Sequence, residues 1–207
     1  MNTLDTTHLV ALAAALGWAS GFRLYAAVFL VGLAGFFGWL PLPPGLQVLQ
    51  HPAVLGASGF MLFMEFFADK IPFIDSIWDV VHTVIRIPAG AGLAAAALGA
   101  DGATMTTVAA LMGGTLAAAS HATKMTTRAA VNTSPEPFSN LLVSLFEDGL
   151  VVAGLWLATT HPVAFGIALC IALALMAVLL ALLFKFFMLV VSRITAFFRG
   201  APAPQGT

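Results

Sequence analysis

Charged residues are scarce in this chain. Only 8% of its 207 residues are Asp, Glu, Lys or Arg, whereas 60% are hydrophobic, and the mean hydropathy is +1.01. A soluble globular domain carries about 25% charged residues, so this chain cannot cover its surface with polar groups. The sequence therefore predicts a protein whose surroundings are the lipid bilayer.

Other absences exclude further classes of protein. A net charge of −1 with eight basic residues gives no basic footprint, so we expect no nucleic-acid partner. The single cysteine, Cys170, excludes a disulfide framework and a cysteine metal cluster. The sequence has no His-Glu-x-x-His run and no phosphate-binding Gly-rich loop ending in Lys-Ser/Thr. We therefore expect no metal, no cofactor and no enzymatic activity.

Long apolar blocks, rich in Ala and Leu, dominate what is present. A backbone in lipid must satisfy its own hydrogen bonds, and blocks of about 20 residues favour helices over alternating strands. They predict an all-α polytopic membrane bundle of about six spans, which forms one transmembrane domain over residues 1–200 before a disordered tail, 201–207. The predicted blocks are 9–40, 53–68, 73–100, 103–122, 141–159 and 163–187.

The first block is too long for one straight span, and we expect a break at Ser20-Gly21. Pro88 is expected to interrupt the third block. The polar stretch 123–140 is predicted to connect the fourth and fifth spans. The first eight residues hold no Lys or Arg, so they lack the basic region of a cleaved signal peptide and the first block is expected to be retained.

The basic residues predict an orientation. They fall in alternate connections, which all lie on the same side of the membrane, and the connections on the opposite side contain none. By the positive-inside rule, this asymmetry places both termini in the cytoplasm, which gives a multi-pass protein of the bacterial inner membrane. The basic residues on the predicted cytoplasmic side are Lys70, Arg86, Lys124, Arg128, Arg193 and Arg199.

The two halves, 1–100 and 101–200, share a weak pattern. Each has a long helix with a small polar residue and a cation, followed by a helix that carries a glutamate. Three spans per half would place the halves in opposite orientations, as in the inverted repeats of many transporters. Chance similarity between Ala/Leu/Phe-rich segments is the alternative. The matching residues are Ser20, Arg23 and Glu65 in the first half and Ser120, Lys124 and Glu147 in the second.

Two segments also resemble a known family. They are Ser20-Gly21-Phe22-Arg23 and Glu65-Phe-Phe-Ala-Asp69-Lys70-Ile-Pro72, the latter followed by Asp75. The chain resembles the small membrane proteins catalogued as domain of unknown function 4126, from about Gly17 to the last span. The resemblance implies a multi-spanning membrane protein, and it supplies no reaction or substrate.

Several charges fall inside predicted spans, where each costs about 2.5–3.5 kcal/mol on insertion scales. Arg23 and Lys124 are predicted to bind an anionic group, and the acidic residues to carry a proton or cation, in a midplane cavity. A buried ion pair that only fixes helix register is the alternative. The candidate solute- or ion-binding residues are Ser20, Arg23, Glu65, Asp69, Asp79, His82, Arg86, Ser120, Lys124, Glu147 and Asp148.

Residues 69–86 have two interpretations. Asp75, Asp79, His82 and Arg86 follow the spacing i, i+4, i+7, i+11 and so share one helical face. That face is solvated if the segment is an interfacial amphipathic helix. Alternatively, the helix continues through Pro88 and lines the cavity, since the remaining 12 residues are too short to span alone.

Three function classes follow from these patterns. The leading hypothesis is a small transporter or channel-like protein that moves a small solute or ion, with a homodimer expected because the chain is short. The second is a non-transporting scaffold or assembly factor that docks a partner through the acidic helix at 69–86. The third is an intramembrane enzyme that acts on a lipid and needs an acid or nucleophile open to the bilayer.

Overall fold

The structure, a computed structural model, describes residues 4–71, 73–99, 102–133 and 137–198. Within these ranges the fold is all-helical. The tail at 201–207, Arg199 and Pro72 lie outside the described residues. The helices are α1 (Thr6–Phe36), a short 3-10 helix η1 (Pro44–Gln50), α2 (Pro52–Ala68), α3 (Ile74–Leu98), α4 (Ala103–Val131), α5 (Pro137–Thr160) and α6 (Pro162–Phe198).

The helices confirm a polytopic bundle of about six spans. Five of them, α1 and α3 to α6, are long and apolar enough to cross a membrane, and η1 with α2, bent by 69°, forms either a sixth, broken span or a re-entrant loop. Proline opens η1 and α2, where its missing N–H costs nothing. Large apolar side chains such as Val84 and Leu111 remain exposed on the outer faces, as expected against lipid.

The first half of α1 is the central element of the fold. It begins at Asp5, whose carboxylate accepts a hydrogen bond from the His8 N–H at 2.8 Å. That bond lowers the pKa of the exposed Asp5 carboxyl. Residues 11–24 are buried on every side. Such all-round burial is possible because small Ala and Gly side chains let neighbouring backbones approach closely.

Arg23 divides α1 into two halves. Its φ of −145° and ψ of 74° are non-helical, so the break lies at Arg23 and the predicted break at Ser20-Gly21 is corrected by two residues. Before the break, Trp18 lies against Gly154 of α5. After it, Phe29 lies against Gly59 of α2. Both halves lead from Arg23 toward the end of the bundle that holds η1, since Gly17 lies against Gly113 in the first half of α4 and Gly32 lies against Leu49 of η1. Helix α1 is therefore re-entrant rather than straight.

The two ends of the bundle hold different connections and different side chains, and we call them the charged end and the far end. The charged end holds the α2–α3 and α4–α5 connections, where Asn132 donates to Asp75 at 3.0 Å. The far end holds η1 and the α3–α4 connection, where Gly45 lies against Ala96. The start of α1 lies at the far end and the end of α6 at the charged end. The side of the membrane on which each terminus lies stays a prediction.

Two helices differ from the blocks that hydropathy predicted. α3 continues through Pro88 without interruption, which favours the continuous interpretation of residues 69–86. α4 reaches Val131, so most of the stretch 123–140 is helix rather than connection. Lys124, Arg128 and Asn140 of this stretch are paired inside the bundle, and hydropathy does not distinguish paired polar groups from solvated ones.

The direction of the helices bears on the predicted inverted repeat. α2 and α3 run opposite to α5 and α6 respectively, as that repeat requires. The first half of α1, however, runs parallel to α4, since Gly17 contacts Gly113 and Gly21 contacts Ser120. The halves therefore do not match over their full length, and the inverted repeat stays a prediction.

Candidate functional site

Nine ionisable side chains from five helices meet where α1 breaks, and we call them the charge cluster. All but one are buried, and the side chain of Asp148 is 28% exposed. Both halves of the chain contribute charges to it. Its cations are Arg23, Arg86, Lys124 and Arg128, and its carboxylates are Glu65, Asp69, Asp79, Glu147 and Asp148.

Arg86 of α3 joins two carboxylates. Its Nη2 lies 2.5 Å from Glu65 Oε1 and its Nη1 lies 2.6 Å from Asp79 Oδ1. Asp79 also lies 3.2 Å from Lys124 Nζ. Asp79 is thus neutralised by Arg86 and Lys124, whereas Asp75, four residues earlier on the same face, accepts hydrogen bonds from Asn132 instead.

Asp69, at the end of α2, contacts three cations. Its Oδ2 lies 2.5 Å from Arg23 Nη1, 2.8 Å from Lys124 Nζ and 3.7 Å from Arg128 Nη2. Its backbone carbonyl also accepts from Arg128 at 2.8 Å. Hydrogen bonds between charged groups are the strong ones in a low-dielectric interior, so Asp69 is the centre of the cluster.

α5 contributes the third group of carboxylates. Glu147 lies 2.7 Å from Arg128 Nη2, and Asp148 lies 3.0 Å from Arg23 Nε. Arg23 also donates to the Ser144 hydroxyl at 2.8 Å. Arg23 therefore joins α1 to both α2 and α5 through a guanidinium whose planar fork suits several acceptors at once.

The break in α1 leaves backbone carbonyls that side chains of α4 reach. Lys124 donates to the Phe22 carbonyl at 3.2 Å, and Ser120 donates to the Trp18 carbonyl at 2.8 Å. His121 Nδ1 lies 3.3 Å from the Gly21 carbonyl. Irregular backbone at membrane depth is tolerated where protein groups satisfy it, as α4 does here.

The cluster extends from near the charged end to the middle of α3. Asp79 is five residues and Arg86 twelve residues from the start of this 25-residue helix, which places them about 8 and 18 Å along it. The predicted midplane location of the site stays a prediction.

Three of the predicted site residues lie outside the charge cluster. Ser20 donates to the Leu16 carbonyl within its own helix at 2.6 Å. His82 lies between Tyr25 and Trp78, with its Nδ1 at 2.7 Å from the Trp78 carbonyl. Ser120 ties α4 to α1 through a backbone carbonyl. These side chains support the surrounding helices and contact no charge of the cluster among the described residues.

Sequence reasoning missed some of the polar side chains. Arg128 was assigned to a connection, and Asn140 and Ser144 were given no role, yet all three are buried at the cluster. Spacing could have found the first, because Ser120, Lys124 and Arg128 recur every four residues and share one face of α4. Asn140, Ser144 and Glu147, spaced four and three residues apart, likewise share one face of α5.

Burial also changes the argument for orientation. Arg86, Lys124 and Arg128 were counted as loop charges, but they are buried in the cluster and cannot report on the cytoplasmic side. Lys70 remains in a connection, where it donates to the Phe66 carbonyl at 2.9 Å. Partial burial lowers the pKa of Lys70. The cytoplasmic location of the charged end stays a prediction.

A cleft of about 440 Å³ reaches the cluster from the side. It lies between α1, α4, α5 and α6, and Lys124 and Glu147 border it. Its remaining lining is apolar apart from Thr123 and Thr127. The expected polar cavity is therefore replaced, at this side of the cluster, by an apolar one.

Comparison with known proteins identifies the family. A family model described as domain of unknown function (DUF4126) matches residues 10–182. The chain belongs to this family. The DUF4126 match includes every residue of the charge cluster and most of α6, and it confirms the resemblance seen in the two short segments. No curated protein and no solved structure matches the chain.

Proposed function

We propose that the protein is a membrane carrier that moves a small solute or ion, with the charge cluster as its binding and proton-carrying site. The observation that supports this most is the convergence of nine charges on a break in a central, re-entrant helix. Discontinuous helices and intramembrane charges together are typical of transporter binding sites. Burying nine charges is costly for a lipid-embedded chain that has few charges, which favours a common function for the clustered side chains.

The incomplete pairing of the carboxylates supports a role beyond helix register. Glu65 Oε2, Asp69 Oδ1 and Asp79 Oδ2 are buried and accept no hydrogen bond from the described residues. A purely structural network is expected to satisfy its buried acceptors. Carboxylate oxygens without a partner are instead available to accept a hydrogen bond from a bound solute, although the cations beside them disfavour uptake of a proton at these three side chains.

The charge count points to the same conclusion. Four cations face five carboxylates, so the fully ionised cluster carries one excess negative charge. A proton taken up by one carboxylate would neutralise it. Glu147 is the best placed of them, because it borders both the cluster and the cleft. We therefore assign proton coupling to Glu147.

The scaffold hypothesis loses the surface on which it depended. Asp69, Asp75, Asp79 and Arg86 are fully buried, and His82 is almost so. A partner cannot dock on this face of α3 while the bundle is folded. The solvated, interfacial interpretation of residues 69–86 is corrected for the same reason.

Reconstitution tests the carrier function. Purified protein in liposomes that enclose a pH-sensitive dye is screened with small anions, cations and amphiphiles for solute-driven proton movement. We expect Glu147→Gln to abolish proton coupling while the protein remains folded, because the amide cannot exchange a proton. Asp5→Asn, at the exposed start of α1, is the matched control. Wild-type coupling in Glu147→Gln would remove this residue from the mechanism, and absence of flux for all solutes would contradict the carrier function.

A further inference from the structure

Of three cavities among the described residues, the apolar cleft is the one that touches the charge cluster. Two further cavities, beside α2 and beside η1, contain no cluster residue. A solute that reaches the cluster along the cleft contacts mostly apolar side chains.

The cleft is long and narrow. On α6 its lining runs from Phe165 to Leu179, about 21 Å at 1.5 Å per residue. A volume of about 440 Å³ spread over that length leaves room for one extended chain rather than for a bulky ring system. Small-molecule sites in proteins have volumes of about 300–1,000 Å³, so the cleft is large enough to be one.

The polar groups of the cleft lie toward its charged end. Lys124 and Glu147 border it there, with the Thr127 hydroxyl one turn from Lys124 along α4. Asp69 and Asp79 already neutralise Lys124, and Arg128 neutralises Glu147, so a strongly charged ligand would gain little net attraction. A small head that both donates and accepts hydrogen bonds, such as a carboxyl or hydroxyl group, matches these partners.

From this geometry we infer that the cleft binds a single-chain amphiphile, such as a long-chain fatty acid or alcohol, with its head at Thr127 and Glu147. The apolar chain lies along α5 and α6 toward Trp18 and Phe165. A hydrophilic ion would lose its hydration along this route, whereas an alkyl chain finds there the apolar surroundings that it has in the bilayer. This inference rests on the proposed function, because it names the class of substrate that the carrier moves.

Trp18 makes occupancy of the cleft measurable. In a background with Trp39→Phe, Trp78→Phe and Trp156→Phe, Trp18 is the remaining tryptophan of the chain. The protein is placed in nanodiscs of unlabelled phospholipid and titrated with a dibrominated long-chain fatty acid, whose bromines quench nearby tryptophan. We expect saturable quenching of Trp18.

Substitutions on α6 supply matched variants. Ala172 lines the cleft, whereas Ala174 faces away from it on the same helix. Ala172→Phe should raise the half-saturating fatty-acid concentration at least tenfold, and Ala174→Phe should leave it unchanged. Ala168→Phe, at a more exposed position of the lining, serves as a second blocking variant if Ala172→Phe does not fold.

Each outcome decides the inference. Saturable quenching that both blocking variants weaken supports binding of the fatty acid in the cleft. Saturable quenching without any flux also supports binding, and it contradicts only the carrier function. Quenching by a brominated phospholipid but not by the fatty acid overturns the inference, because the chain in the cleft then belongs to the bilayer. Flux of a small ion without saturable quenching also overturns it and leaves the carrier function intact.

Discussion

Single residues of the charge cluster differ in how much they stabilise the fold. Asp69 contacts three buried cations, whereas Asp148 contacts Arg23 from a partly exposed position. Removing one partner from a buried ion pair costs about 3–5 kcal/mol, because the other charge stays buried without compensation. A partly exposed pair contributes about 1 kcal/mol or less. The same neutralisation should therefore have unequal effects at these two positions.

We expect Asp69→Asn to lower the free energy of unfolding by about 3–5 kcal/mol, and Asp148→Asn by about 1 kcal/mol or less. Chemical unfolding of both variants in detergent, followed by circular dichroism, measures the difference. Asp148→Asn is the matched control, since it makes the same chemical change in the same cluster. Equal losses for the two variants would contradict the central position of Asp69.

The residues that sequence analysis predicted best are those whose surroundings make them anomalous. Arg23 stands in an apolar block, so its burial cost alone marks it for a partner. Arg128 stands among threonines and an asparagine, where a charge looks solvated. Its burial depends on the fold bringing Asp69 and Glu147 to it across 59 and 19 residues of sequence. No local pattern contains that information, although the four-residue spacing on α4 hints at it.

Helix packing depends on three glycines at the centre of the bundle. Gly17, Gly90 and Gly113 lie where α1, α3 and α4 cross, and a Cβ on Gly113 would collide with the Gly90 carbonyl. Backbone cannot move aside as a flexible side chain can. Close approach of these helices places Lys124 and Arg86 beside the break in α1, so the crossing positions the cluster.

Gly113→Ala is expected to destabilise the protein by about 1–3 kcal/mol, the usual cost of overpacking. Gly149→Ala, on α5, meets no atom within 4 Å of the added methyl group. It should be neutral or stabilising by roughly 0.5–1 kcal/mol, because glycine in a helix loses more chain entropy than alanine. Thermal unfolding of the two variants measures both effects, and similar midpoints for them would disprove the close crossing.

Element boundaries followed hydropathy where the surroundings are lipid, and departed from it where charges pair. The ends of α2 and the start of α4 agree with the predicted blocks to within a residue or two. The end of α4 does not, because its last turns carry the cluster. The break in α1 is at Arg23 rather than Ser20-Gly21 because α4 supplies partners for the carbonyls of residues 18, 21 and 22. Those partners come from a helix about 100 residues away in sequence, so the local sequence of α1 does not show them.

At the scale of the whole molecule, α6 stands apart from the other helices. Its 37 residues extend about 55 Å, well beyond a hydrocarbon core of about 30 Å, and its apolar surface is largely exposed. It supplies a wall of the cleft and no charge of the cluster. The homodimer expected from the small size of the chain stays a prediction, with α6 as the helix that has the most unpaired surface.

The re-entrant path of α1 makes a prediction about topology. A straight α1 would separate its two ends by the membrane, whereas a break at Arg23 with both halves directed to the far end keeps them on one side. Cysteines can report this in a Cys170→Ala background, since Cys170 is the only native cysteine. Cysteine is introduced at three exposed positions. Thr7→Cys is at the start of α1, Trp39→Cys is just after its end, and Thr133→Cys is at the charged end.

We expect a membrane-impermeant maleimide to label the first two variants from the same side of intact cells and Thr133→Cys only after permeabilisation. The positive-inside rule gives this assignment, because the described basic residues outside the cluster, Lys70, Lys185 and Arg193, lie toward the charged end. Labelling of Thr7→Cys and Trp39→Cys from opposite sides would make α1 a full span. It would also remove the reason for placing a binding site at its break, since the apex of a re-entrant helix is what brings its open carbonyls to α4.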